Sequence, residues 1–249
     1  DIMVTNSFYY NIPTSGCVYN FDGKFLASAP LSGTVLNNLG ISGSSMTLTN
    51  GPDMSSQSYI SYDGTDDYSN YTPGGTFTDN AWSFSITFRF LGSNSQSSTY
   101  QNWGGDSYGM YFYRNDFWTP GQISLLSYCN CNEGYIGGIA PIYTWGNWYT
   151  LTVSANDSGY VFAYLNGSLL YQQQFTGFVR WYQRHTTTGM PAASPTWQLA
   201  NERYYNRALS VAEVLQLYYQ APIVTSGLTY GVDMGNVQSY SGASTTIYN

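Results

Sequence analysis

Trp82-Ser83-Phe84-Ser85-Ile86-Thr87-Phe88-Arg89-Phe90 alternates large apolar residues with mostly small polar ones along its whole length. Successive side chains of a β-strand point to opposite faces, so Trp82, Phe84, Ile86, Phe88 and Phe90 share one face. The segment reads as an inner-sheet strand that buries its even-numbered residues.

Outward from this strand the same texture recurs. Short runs rich in Tyr, Phe, Thr, Val and Ile are separated by Gly, Asn, Asp and Ser clusters at the intervals of a sandwich. Tyr149-Thr150-Leu151-Thr152-Val153 leads through the looser turn Asn156-Asp157-Ser158-Gly159 into Tyr160-Val161-Phe162-Ala163-Tyr164-Leu165. Asn166-Gly167 then supplies the two positive-φ residues of a type I′ turn before Ser168-Leu169-Leu170-Tyr171, which predicts a tight hairpin. One helix is expected, over Val211 to Tyr219. Ser210 and Glu213 form a capping box there, Leu209 and Val214 a hydrophobic staple, and Val211, Val214, Leu215 and Tyr218 an apolar face.

A chain of 249 residues can bury a full core, and β-sandwiches of this size commonly run as one domain. Charged residues make up only 8%, whereas Tyr, Trp and Phe number 26, 7 and 12. Solubility must then come from Ser, Thr, Asn, Gln and Tyr hydroxyls, a surface suited to neutral polar partners such as glycans or other proteins. The net charge of −7 reflects scarcity of bases, with Lys24 the only lysine beside six arginines. No basic cluster exists, which argues against nucleic acid and anionic membranes as partners. No run approaches the roughly 20 apolar residues of a membrane span, and Asp1-Ile2-Met3-Val4 lacks the charged start and apolar run of a signal peptide.

Cys17, Cys129 and Cys131 are too few for a disulfide scaffold, and Cys-Asn-Cys lacks the spacing of common zinc knuckles. Unpaired thiols and a single bridge from Cys17 to one of the other two both remain open. The two ends of the chain show a weak repeat. Thr14-Ser15-Gly16-Cys17-Val18-Tyr19-Asn20-Phe21-Asp22 matches Thr225-Ser226-Gly227-Leu228-Thr229-Tyr230-Gly231-Val232-Asp233 at five of nine positions, and Thr34-Val35-Leu36-Asn37 faces Thr246-Ile247-Tyr248-Asn249 after one inserted residue. The expected organisation is an N-terminal arm over 1–14, a main domain over 15–220, and over 221–249 a linker with the start of a second copy.

Three segments carry a family resemblance. The first joins Tyr19-Asn20-Phe21-Asp22 to Thr47-Leu48-Thr49-Asn50-Gly51-Pro52, and the second is Ile60-Ser61-Tyr62-Asp63-Gly64-Thr65-Asp66-Asp67-Tyr68. The third runs from Glu202-Arg203-Tyr204-Tyr205-Asn206-Arg207-Ala208-Leu209-Ser210 into the helix. Together, over roughly residues 15 to 220, they resemble laminin-G-like, concanavalin-A-like jelly-roll domains, especially those of bacteriophage structural proteins and secreted bacterial multidomain proteins. The stretch from Phe178 to Pro195 departs from that pattern, being longer and richer in Trp, Arg and Pro. The resemblance implies an all-β, two-sheet antiparallel jelly-roll sandwich with one short C-terminal helix, calcium at the rim, and adhesion, glycan recognition or assembly as the role.

Two candidate sites follow. Asp63, Asp66 and Asp67 bring three carboxylates into five residues at a strand end, hard oxygen donors of the kind calcium takes. Trp103, Tyr108, Trp118 and Trp145 stand among Asn, Gln and Asp. Sugars rest their C–H faces on aromatic rings and give their hydroxyls to amides and carboxylates, so these four are candidate glycan contacts. Asn70-Tyr71-Thr72, Asn156-Asp157-Ser158 and Asn166-Gly167-Ser168 fit the N-glycosylation pattern, which matters only in a eukaryotic host.

An enzyme is not expected. Retaining glycosidases of this fold class need two carboxylates about 5 to 5.5 Å apart, and Glu133, Glu202 and Glu213 are scattered. His185 is the sole histidine, leaving a Ser-His-Asp triad without support. The expected role is a structural or adhesive module on an extracellular or virion surface, such as a phage decoration or tail-fibre domain within a larger assembly. A secreted carbohydrate-binding module is the alternative. Its partners are other structural subunits or surface glycans, and calcium is the candidate cofactor.

Overall fold

The structure, a computed structural model, describes residues 12–41, 45–56, 58–71, 81–91, 110–115, 122–127, 134–136, 144–174, 186–188 and 196–219. In chain order the strands are β1 (Cys17–Asp22), β2 (Val35–Leu36), β3 (Met46–Thr49), β4 (Ile60–Tyr62), β5 (Tyr68–Tyr71), β6 (Trp82–Phe90) and β7 (Met110–Asn115). They continue with β8 (Gln122–Ser127), β9 (Gly134–Ile136), β10 (Tyr149–Ala155), β11 (Tyr160–Leu165), β12 (Ser168–Gln174), β13 (Thr186–Thr188) and β14 (Trp197–Tyr205), followed by helix α1 (Val211–Tyr219). The expected arm, linker and second copy, the possible partners Cys129 and Cys131 of Cys17, and His185 lie outside the described residues, apart from 12–14.

A seven-stranded sheet has the order β1-β14-β6-β10-β11-β12, with β4 also on β14, and a four-stranded sheet has the order β13-β5-β3-β2. A separate ladder joins β7, β8 and β9. Every pairing is antiparallel. The expected all-β jelly-roll sandwich, with one short helix among the described residues, is the observed fold. Its core lies between the two larger sheets, where Phe84, Ile86, Phe88, Leu151, Val153 and Val161 meet Leu36, Met46 and Leu48. No helix among the described residues is long and apolar enough to cross a membrane.

β6 buries its even-numbered residues as the alternation requires, but Ser83, Ser85 and Thr87 on the outer face are buried as well. A buried hydroxyl is costly only without a partner. Here each has one across the strand pair: Ser83 Oγ lies 3.0 Å from Ser154 Oγ, Ser85 Oγ 2.9 Å from Thr152 Oγ1 and Thr87 Oγ1 3.0 Å from Thr150 Oγ1. β4 and β1 lie end to end along β14, and the step between them falls at a bulge around Ala200, whose carbonyl accepts the Gly23 N–H at 2.7 Å.

The hairpin turn at Asn166-Gly167 has both residues at positive φ, 51° and 77°. The capping box closes with Ser210 N donating to Glu213 Oε2 at 2.8 Å, and Leu209 and Val214 share a second apolar cluster with Ile12, Cys17, Tyr164, Tyr205 and Leu217. The helical face differs from expectation. Val214 and Leu217 are buried, but Val211 is 57% exposed. α1 rests on the β11–β12 turn, where a Cβ on Gly167 would sit 2.7 Å from Leu215 Cδ2, and the helix starts with Val211 in solvent.

Candidate functional site

One rim of the sandwich collects the chemistry. There β4 ends, β14 begins, β6 ends and β10 begins, because Trp197 pairs with both Tyr62 and Phe90 while Tyr149 pairs with Phe88. Backbone bonds tie the adjoining loops together: Leu91 N donates to Thr196 O at 2.8 Å, and Gly146 N to Phe90 O at 2.7 Å. Thr196 Oγ1 in turn donates to Asp63 O at 3.3 Å. The acidic loop after β4 and the turn before β10 therefore flank the same strand ends.

On the core side of this rim Tyr62 and Trp197 stack, with ring centroids 4.4 Å apart. Trp145 stands edge-on to Phe90 at 6.3 Å and is 41% exposed. On the outer side the pairing sets Ser61, Gln198 and Arg89 in one row, and Trp148, the residue before β10, lies against Arg89. The Arg89 guanidinium carbon lies 4.9 Å from the Trp148 ring centroid and 5.3 Å from that of Tyr59. Its Nε donates to Gln198 Oε1, and Gln198 Nε2 donates to Ser61 Oγ at 3.1 Å. Arg89, Tyr59 and Trp148 are each partly exposed, so the cluster is open to solvent.

The acidic loop is compact. Oxygens of Asp63, Asp66 and Asp67 lie within 4.8 Å of one another. Asp63 N donates to Asp67 Oδ2 at 2.8 Å, Thr65 N donates to Asp63 Oδ1 at 2.7 Å, and Asn50 Nδ2 donates to Asp66 O at 3.0 Å. Burial pushes the Asp67 carboxyl up from its ordinary value; the hydrogen bond from Asp63 N opposes this, and the charges of Asp63 and Asp66 add to it. The residues fit a hard dication in kind, since three carboxylates crowd one point and a cation would relieve their repulsion.

A second polar locus lies farther along the outer face. Arg203 and Asp22 form an ion pair, with Arg203 Nε also donating to Asn20 Oδ1 at 3.0 Å, and both charged residues are buried. Neither amide atom of Asn201 has a hydrogen-bond partner. Cys17 is a buried free thiol whose Sγ–H donates to Tyr19 O at 3.4 Å; burial raises its pKa. Glu202 is buried and Glu213 belongs to the helix cap, while Glu133 lies outside the described residues.

Of the four candidate glycan contacts, Trp145 is at the rim and solvent-exposed, whereas Trp103, Tyr108 and Trp118 lie outside the described residues. The three aspartates are brought together. Sequence reasoning passed over Tyr59, Arg89, Trp148 and Gln198. One signal was present: Arg89 is the only charged residue in the alternating strand that decides the fold.

No protein-family model and no curated protein matches the chain. Among solved structures, the botulinum neurotoxin serotype D binding domain is similar at a TM-score of 0.63 and 12% identity, over 82% of this chain and 51% of that one. The Trypanosoma rangeli sialidase solved with sialic acid is similar at a TM-score of 0.61 and 15% identity, over 83% of this chain and 33% of that one. The chain thus spans about half of the toxin domain and a third of the sialidase. The likeness is one of fold, a β-sandwich.

Proposed function

We propose that this chain is a laminin-G-like adhesive module, displayed outside the cell, that binds saccharides at the rim described above and does not catalyse their hydrolysis. The observation that carries the reading is the outer row of Ser61, Gln198 and Arg89, with Trp148 and Tyr59 against the guanidinium and Trp145 exposed beside it. Aromatic faces support the C–H surface of a sugar, and amide and guanidinium N–H groups take its hydroxyl oxygens. The sandwich is shared with a neurotoxin binding domain and a sialidase, which agrees with such a role. Calcium in the Asp63–Asp67 loop would stiffen the same rim.

Glycan-array binding by the whole chain tests this reading. Binding that is lost on Trp145→Ala or Trp148→Ala, in variants that keep the wild-type unfolding temperature, supports it; no saccharide binding by the wild type refutes it.

Assembly into a virion or fibre is the second reading, and one observation favours it. Among the described residues β12 pairs only with β11, leaving one edge of the seven-stranded sheet open, with Leu169 and Leu170 exposed on it. An open edge can take a strand from a neighbouring subunit. Electron microscopy of native material showing β12 buried between subunits would favour this role over glycan capture.

A further inference from the structure

The three arginines whose side chains are described fall into two kinds. Arg203 pairs with Asp22, and Arg207 grips Glu213 through two nitrogens at 3.0 and 2.5 Å. Among the described residues Arg89 meets no carboxylate, and its one hydrogen bond uses Nε, which leaves both terminal nitrogens without a hydrogen-bond partner there. In a chain carrying seven basic against 14 acidic residues, an arginine without an acidic partner among the described residues calls for a physical reason.

The arrangement around it restrains the side chain without using its binding edge. Tyr59 and Trp148 hold the guanidinium through their rings, and Gln198, itself held by Ser61, fixes Nε. Cation–π contact places the guanidinium against the ring faces, and its N–H groups radiate in the guanidinium plane. Of the polar groups on these two rings, the Trp148 indole N–H can only donate and the Tyr59 hydroxyl can donate or accept. Asp53, bridged to Ser61 through the backbone, turns its carboxylate to Ser55, accepting from Ser55 N at 2.8 Å and Ser55 Oγ at 3.0 Å.

A planar fork whose terminal nitrogens have no partner among the described residues matches a carboxylate bidentately, and much of the side-chain entropy cost of holding it still is already met. We infer that Arg89 is the carboxylate subsite of this rim, so that the saccharide it takes is acidic, bearing a uronate or sialate group. This rests on the saccharide reading above and adds the charge of the ligand to it.

The test uses the whole chain and matched pairs of probes: oligogalacturonate with its carboxyl-reduced form, a hyaluronan oligomer with its carboxyl-reduced form, and sialyllactose with lactose. Titration calorimetry should show at least one acidic member binding about tenfold more tightly than its neutral partner, an advantage that shrinks with added salt. Arg89→Gln should abolish the difference, lowering the affinity of the acidic member far more than that of its neutral partner. Arg89→Lys, which keeps the charge and loses the fork, should remove most of it. Neutral members binding as well as acidic ones, or an acid preference that survives both substitutions, overturns the assignment of Arg89 and leaves the saccharide reading standing. Preference for sulfated oligomers over carboxylated ones also overturns it. Binding of no probe, acidic or neutral, removes both.

Discussion

Arg203→Met removes one member of an ion pair whose side chains are 1% and 3% exposed. The methionine keeps much of the apolar stem and leaves Asp22 as an uncompensated buried carboxylate, a change that costs about 3–5 kcal/mol. Asn20 Oδ1 loses its donor in the same step, so about 4 kcal/mol in all is a fair central value. For a domain of this size that lowers the unfolding temperature by about 8–16 °C. Asp22→Asn alone leaves the guanidinium unpaired and should cost about 3 kcal/mol. The double variant Arg203→Met/Asp22→Asn removes both charges of the pair, while an amide oxygen can still accept the Lys24 N–H that Asp22 Oδ1 takes at 3.0 Å. It should therefore be no less stable than either single variant, giving a coupling energy of at least about 4 kcal/mol. Equilibrium urea unfolding followed by tryptophan fluorescence measures all four corners of the cycle. Additive costs, with coupling below about 0.5 kcal/mol, would refute the claim that the pair is held together in a desolvated site.

Glu213 is held down to a pKa of about 2 from an ordinary 4.5, first by its hydrogen bonds from Arg207 and then by those from Ser210, with burial opposing them. A depressed carboxylate stabilises the fold above the unfolded pKa and loses that contribution as pH falls. Wild type should therefore exceed Glu213→Gln by about 1 kcal/mol near neutrality after allowing for solvent screening, and the gap should close between pH 4.5 and about 2 in pH-dependent unfolding. Calcium at ten times its dissociation constant should raise the unfolding temperature by about 3–6 °C, and Asp63→Asn/Asp66→Asn should abolish the rise. An equal rise in the variant would remove the ion from this loop. Gly40→Ala would place a Cβ 2.3 Å from Val18 O and 2.6 Å from Val18 C. Backbone cannot yield there as a side chain can, so a loss of about 3 kcal/mol or failure to fold is expected, checked by circular dichroism and urea titration.

What the sequence disclosed was local. The alternation in β6, the Asn166-Gly167 turn and the Ser210–Glu213 capping box each act within a few residues, and each reads directly from composition at fixed offsets. Val211 was misplaced because periodicity ranks faces of a helix without knowing where the underlying sheet stops. The acidic loop was legible since its donors lie within five residues. Arg89, Tyr59, Trp148 and Gln198 were not, because only the pairing of β4, β14, β6 and β10 makes neighbours of residues so far apart in the chain. The odd-numbered residues of β6 were equally opaque: serine and threonine signal a solvated face until their hydroxyl partners on β10 are known.

That hydroxyl ladder links the fold to the rim. Each of its three pairs contributes only about 0.5–1.5 kcal/mol net, too little to explain on stability grounds why a whole sheet face is polar and buried. Register is the better account. β6 and β10 already specify their alignment through the apolar inner face, since a one-residue slip would turn Phe84, Ile86 and Phe88 outward. The ladder repeats that specification on the opposite face, where a slip would set hydroxyls against apolar neighbours and leave them unpaired. Two residues beyond Thr87 in β6 stands Arg89, and two residues before Thr150, just ahead of β10, stands Trp148. The alignment that pairs the hydroxyls is therefore the one that brings the guanidinium to the indole, and β14 adds Gln198 to the same row through its own register with β6. A side chain placed on aligned strands is held by the sheet itself, which is why this rim can present Arg89 against two aromatic rings with, among the described residues, neither terminal nitrogen hydrogen-bonded.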